Sequence, residues 1–164
     1  MAPSGQGEID EINVRMAEPQ DLESIVRFNA AMALETEGKV LDAEKLREGV
    51  AAVFQCPTLG FYCVAEVDGR VVGQLMITTA WSDWRNRNYW WIQSVYVEAE
   101  YRRRGVYRTL HRFVAAEARE NGGVQGLKLY VDRDNKRRQS VYDSFSMRHS
   151  NYDLWEIDFE PSEA

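Results

Sequence analysis

Three arginines and a glycine, Arg102-Arg103-Arg104-Gly105, separate an apolar run ending at Val97 from an amphipathic run beginning at Val106. The start of a helix carries amide protons without intrahelical acceptors and a partial positive charge, so a turn of this kind receives an anion. The arginines add charge around it, and Gly105 lets the backbone close over a phosphate. Taken without its neighbours, the stretch is equally consistent with a solvated, arginine-rich turn between a core strand and a core helix. The surrounding elements must decide.

Those elements are legible from periodicity and turn chemistry. Ile12, Val14 and Met16 alternate with polar residues, which predicts a first strand. Glu18-Pro19-Gln20-Asp21 starts a helix whose apolar face is Leu22, Ile25, Val26, Asn29 and Met32 or Ala33; it runs out near residues 35–38. Asp42 caps a second helix with a stripe of Leu46, Val50, Val53 and Phe54, stopped by Cys56-Pro57. Strands over 61–67 and 71–79 are joined by Asp68-Gly69, a strong hairpin signal. An aromatic connection, Trp81 to Trp91, leads into a fourth strand over 90–97, and a helix over 106–120 ends at Asn121-Gly122-Gly123. Leu127, Leu129 and Val131 mark a strand parallel to the fourth through a crossover. Asn135 offers the cap of a helix to about Phe145, and Tyr152, Leu154, Trp155 and Ile157 suggest a last strand. The consistent result is one α/β domain of the α+β kind over 11–160, a mixed sheet of six to seven strands flanked by about four helices. Residues 1–10 read as a flexible leader and 161–164 as a polar tail.

The chain has 164 residues, long enough for a core without metal or disulfide staples. A net charge of -6 argues against a dedicated nucleic-acid partner and mildly favours a cationic one. Cys56 and Cys63 read as buried free thiols of a reducing compartment, and no apolar run reaches the length of a membrane span. A cytoplasmic protein without a membrane partner is therefore expected. His111 and His149 are isolated and have no metal-ligand companions, so no metal site is expected and each is read as a surface or helix-face residue.

With this order of elements, the arginine turn resembles the acetyl-coenzyme A loop of the GNAT superfamily of N-acetyltransferases. That family's pattern is Gln/Arg-x-x-Gly-x-Gly/Ala; Arg102, Gly105 and Tyr107 fall on its defined positions, Tyr107 replacing a small residue. The resemblance covers residues 12–158 and implies acetyl-CoA as cosubstrate. It implies that backbone groups of Val95 and Val97 meet the thioester and the pantetheine arm. It also implies that amides from Arg103, Arg104, Gly105, Val106 and Tyr107 hold the pyrophosphate. Asn135, followed seven residues later by Tyr142, matches a second family signature. In relatives that asparagine contacts coenzyme A and that tyrosine protonates the departing thiolate. Arg138 and Ser146-Met147 depart from the residues usual nearby.

The resemblance implies an acceptor wall near Glu35 and Glu37, whose carboxylates would attract a cationic amine and help take its proton; solvated surface carboxylates are the alternative. Gln93 on the fourth strand could orient a water, and Asp83 is a further acidic candidate. Trp81, Trp84, Tyr89, Trp90 and Trp91 crowd into eleven residues and could cage an ammonium, form a homodimer contact or simply pack the hairpin. The implied function is acetyl transfer to a primary amine, on a small molecule or a peptide, by direct attack in a ternary complex. A non-catalytic coenzyme-A sensor or interaction module with the same fold is the alternative.

Overall fold

The computed structural model describes residues 11–160, so the readings placed on residues 1–10 and 161–164 lie outside it. The described chain divides at Leu129/Tyr130 into two compact units.

The first unit is built on a sheet of five strands in chain order: β1 (Asn13–Met16), β2 (Phe61–Val67), β3 (Arg70–Ser82), β4 (Arg87–Val97) and β5 (Val124–Leu129). All neighbours are antiparallel except β4 and β5, which run parallel through the crossover helix. Three helices accompany it, α1 (Leu22–Glu37), α2 (Ala43–Gln55) and α3 (Val106–Asn121). Side chains alternate across a strand, so β2 sorts the core into two halves. Cys63 and Ala65 face α3 with Leu75, Ile77, Trp90 and Ile92, whereas Tyr62 and Val64 face α1 and α2 through Ile25, Val50 and Val53. Burial on both faces explains why β2 reads as a continuous apolar run.

Local chemistry accounts for the boundaries. The Asp42 carboxylate accepts the Lys45 amide at 2.7 Å and starts α2. Gly38, left-handed at φ 66°, ends α1. Asp68 and Gly69 both take positive φ, 52° and 75°, as a tight hairpin of the expected type demands. The aromatic connection is shorter than its sequence suggests. Trp81 pairs with Asn88 and Ala80 with Tyr89, so most of it is strand and only residues 83–86 turn.

The second unit contains α4 (Lys136–Ser144), with Asn135 accepting the Arg138 amide at 3.0 Å as its cap. The strand expected at residues 152–157 does not form, which reduces the sheet from six or seven strands to five among the described residues. A strand needs a neighbour for its amides, and this segment mixes Tyr152, Trp155 and Ile157, all largely exposed, with Asp153, Glu156 and Asp158. Asp153 instead ion-pairs with Arg133.

The two cysteines divide. Cys63 is buried and its thiol is pushed up to about 12 by burial, while Cys56 is exposed, contrary to the expectation for it. His111 is likewise buried rather than superficial, on the sheet side of α3.

Candidate active site

The parallel pairing of β4 with β5 stops at Ile92 opposite Leu129, whereas β4 continues to Val97 on its β3 side. Residues 93–97 are therefore not paired by β5. Within this stretch the register slips: Gln74 lies opposite Tyr96 and Met76 opposite Gln93, leaving Ser94 and Val95 against Leu75 alone. This is a bulge, and Ser94 carries it with φ 50°. A serine in the left-handed region costs on the order of 1–3 kcal/mol, so surrounding contacts must hold it.

Those contacts come from a buried polar group that sequence reasoning missed. Gln74, fully buried in β3, donates through Nε2 to the Ser94 carbonyl at 3.1 Å and to Asn29 Oδ1 at 2.7 Å. Asn29 in turn reaches the Tyr62 hydroxyl at 3.5 Å. The Gln74 Oε1 has no partner among the described residues. A buried acceptor left unsatisfied costs about 1–3 kcal/mol, so this side chain is poorly explained as a source of stability. The available signal was Asn29, a polar residue within an otherwise apolar helical stripe.

After Val97 the chain makes one 3₁₀ turn, Ala99–Tyr101, and enters the arginine loop. Arg103 and Gly105 are both left-handed, at φ 63° and 84°, and Gly105 stands at the N-cap of α3 without any side-chain cap. The first-turn amides of α3 thus face the loop with the helix dipole behind them. Gly73 lets the helix start sit close to the sheet: a Cβ there would meet Val106 Cγ1 at 3.0 Å and the Tyr96 carbonyl at 3.2 Å. Glu98, almost fully buried, is clamped by Arg27 at 2.8 Å and Arg70 at 2.7 Å and fixes the entry to the loop.

The three arginines do different things. Arg102 donates through Nε to the Val97 carbonyl at 2.8 Å and pairs with Glu35 at 2.7 Å, its guanidinium 5.4 Å from the Tyr96 ring centroid. Arg104 lies over Tyr101, and Arg103 is exposed with no ion pair among the described residues. Arg103, Arg104 and the first-turn amides of α3 are the groups here that could hold an anion such as a pyrophosphate.

Glu35 and Glu37 both lie in the last turn of α1, two residues apart and hence on different sides of the helix. Glu35 accepts from Arg102 and from the Tyr96 hydroxyl at 3.0 Å. The Arg102 hydrogen bond holds its carboxyl below the ordinary carboxylate value. Burial and the Glu35 carboxylate together raise the Tyr96 phenol. Glu37 pairs with Lys39 at 3.2 Å. Gln93 is exposed beside the bulge and donates to Thr78 Oγ1 at 2.6 Å.

Trp81 and Asp83 sit at the far end of the β3–β4 hairpin. Asn88, the partner of Trp81, is five residues from Gln93, roughly 15–20 Å along the strand. The Asp83 carboxylate accepts the Trp84 amide at 2.9 Å. Trp90 is core, edge-on to Phe61 at 5.1 Å, whereas Tyr89 and Trp91 flank Lys128, whose amine is 3.9 Å from the Tyr89 centroid. The aromatic cluster is thus divided between packing, a lysine contact and exposed tryptophans at the tip. Asn135, at the N-cap of α4, and Tyr142, buried and seven residues later within it, belong to the second unit. Among the described residues no cluster of His, Cys, Asp or Glu could hold a metal, and no helix is long and apolar enough to cross a membrane.

The model of the acetyltransferase (GNAT) family matches residues 29–147. A structure described as a possible acetyltransferase from Clostridium difficile 630 is 40% identical, with a TM-score of 0.85, over 91% of this chain and 98% of that one. Two more distant structures share the fold. One is a ribosomal-protein-alanine N-acetyltransferase from Brucella melitensis biovar Abortus 2308, at 16% identity and TM-score 0.74, over 92% of this chain and 100% of that one. The other, from Clostridium acetobutylicum, was solved with acetyl-CoA, at 16% identity and TM-score 0.71, over 90% of this chain and 96% of that one. No curated protein matches the sequence. The family match over most of the chain and a relative 40% identical along nearly the whole of both chains show that this chain belongs to the GNAT acetyltransferase family.

Proposed function

We propose that the protein moves the acetyl group of acetyl-CoA to a primary amine by direct attack in a ternary complex. The observation that carries this reading is the stretch of β4 at residues 93–97, left unpaired by β5, which leads into a loop suited to a pyrophosphate. Acetyl-CoA supplies an activated acetyl thioester, whose C–S bond breaks as the N–C bond to the amine forms. The chain's residues do the rest. Arg103, Arg104 and the amides of Gly105, Val106 and Tyr107 hold the anionic end. Backbone groups of Val95 and Val97 align the pantetheine arm and polarise the thioester carbonyl. Asn135 contacts the coenzyme, and Tyr142 gives its hydroxyl proton to the departing sulfur.

On the acceptor side, Glu35 is an anion rather than a proton acceptor in this reading. Its carboxyl is held low by Arg102, so it is ionised at neutral pH and is a weak base. It orients a cationic amine, while a water placed with the help of Gln93 carries the proton away. Glu37, Trp81 and Asp83 extend the acceptor surface, contacting only an acceptor large enough to reach them, such as a peptide. A homodimer and a cytoplasmic site of action belong to this reading on the sequence grounds given above.

Coenzyme A thiol release, followed by mass spectrometry over a panel of diamines, amino acids and short peptides, tests the reading. Acetylated product from at least one amine is expected, with monocationic or polycationic acceptors leading. Saturable acetyl-CoA binding with no product from any panel member would favour the non-catalytic coenzyme-A module instead.

A further inference from the structure

The bulge in β4 is unusual in what it asks of its residues. Ser94 holds φ 50°, a backbone state that glycine or asparagine adopts more readily than serine. The neighbouring register slip occurs opposite the stretch from Gln74 to Met76, where the only buried side chain with a donor is Gln74. A backbone carbonyl only accepts, so the amide nitrogen of Gln74 must face Ser94. The same nitrogen is held from the other side by Asn29 on α1. One side chain thus ties the strained residue of β4 to β3 and to the first helix. Its own Oε1 has no partner among the described residues, a cost that an apolar residue at this position would not carry.

We propose that Gln74, tethered by Asn29, is a positioning residue: its bond to the Ser94 carbonyl fixes the bulge and so sets the direction in which the following β4 backbone meets the acetyl thioester. The proposal rests on the acetyl-transfer reading above. In the extended alternative, relaxed at Ser94, β4 would regain regular pairing and its amides would turn toward β3. The peptide plane that follows Ser94 contains both the carbonyl that Gln74 grips and the Val95 amide, so holding one end orients the other. Gln74 itself touches no substrate in this account.

Isotope-edited infrared spectra of [1-13C]acetyl-CoA bound to the protein read this directly, since the thioester carbonyl stretch falls when a backbone donor meets it. The wild type should lower the stretch relative to free acetyl-CoA. The Gln74→Met variant should lose at least half of that lowering, while its affinity for acetyl-CoA, which depends on the loop at 103–107, stays within about threefold. Because Gln74→Met leaves Asn29 without its donor, the paired variant Asn29→Leu/Gln74→Met, which removes both polar partners together, serves if the single variant does not fold. Adding Ser94→Gly to either should restore most of the lowering, because glycine keeps a positive φ without help. A structural role alone predicts no such rescue.

An unchanged stretch in a folded Gln74 variant, or failure of Ser94→Gly to restore it, overturns the positioning role and leaves acetyl transfer standing. Absence of acetyl-CoA binding by the wild type overturns the parent reading and this proposal with it.

Discussion

Tyr142 and Glu35 are candidates of two different kinds. A hydroxyl that protonates a leaving thiolate acts only as the C–S bond breaks, so Tyr142→Phe should lower kcat by on the order of 100-fold while leaving acetyl-CoA affinity unchanged, as stopped-flow and titration would show. Glu35 carries a different expectation. Its carboxyl is held low by the Arg102 hydrogen bond and by that of Tyr96, so its charge is present at neutral pH and is lost only as pH falls below the ordinary carboxylate range. Glu35→Gln should therefore raise the KM for a cationic acceptor about five- to tenfold and leave the acidic limb of the kcat profile in place. Disappearance of that limb would mean that Glu35 takes the proton. The sequence offered both residues but paired Glu35 with Glu37, whereas the structure gives it Arg102 and Tyr96, 67 and 61 residues away. Partners at that separation meet only after the sheet has formed, and no local pattern announces them.

At the scale of elements, the arginine loop was legible because its signal is local: a strand ending, a glycine, an amphipathic helix starting. The glycine's role can be tested in the same terms. Nothing lies within 4 Å of a Cβ built on Gly105, so a side chain there meets no wall; its φ of 84° is the whole objection. Gly105→Ala should cost about 1 kcal/mol of stability and weaken acetyl-CoA binding severalfold as the loop relaxes. Gly73→Val makes the opposite case, a clash with Val106 and the Tyr96 carbonyl. It should destabilise the protein by roughly 1–3 kcal/mol in urea titration, with the coenzyme weakened because α3 is pushed off the sheet. The hairpin at Asp68-Gly69, the α2 cap at Asp42 and the end of α1 at Gly38 were equally readable, each resting on residues within one turn. The bulge at Ser94 was not. Its cause is Gln74 on another strand and Asn29 on a helix 45 residues earlier than Gln74, a tertiary override of a local extended preference. The strand anticipated at residues 152–157 failed for the complementary reason: apolar spacing can suggest a strand, but a neighbouring edge must accept its hydrogen bonds.

For the molecule as a whole, burial of His111 couples stability to pH. Burial lowers its proton affinity in the folded state, and Arg119 lowers it further. The unfolded chain therefore binds this proton first. Above the unfolded value of about 6.5 the residue is neutral in both states and contributes no penalty, and stability drops as pH falls from there through the lower folded value. His111→Gln should flatten the decline in melting temperature between pH 7 and pH 5. Ligand linkage supplies a second expectation: acetyl-CoA at about 100 times its dissociation constant adds about 2.7 kcal/mol to the folded state, roughly 5–10 °C in Tm for a chain of this size. The central event of the proposed function is the seating of acetyl-CoA along β4 with its pyrophosphate on α3. Calorimetric titration with acetyl-CoA, beside an Arg104→Ala/Gly105→Glu variant that removes a cation and places an anion at the helix start, tests it most directly. The account predicts saturable one-site binding by the wild type and its loss in the folded variant; a folded wild type that does not bind, or a variant that binds equally well, would contradict it.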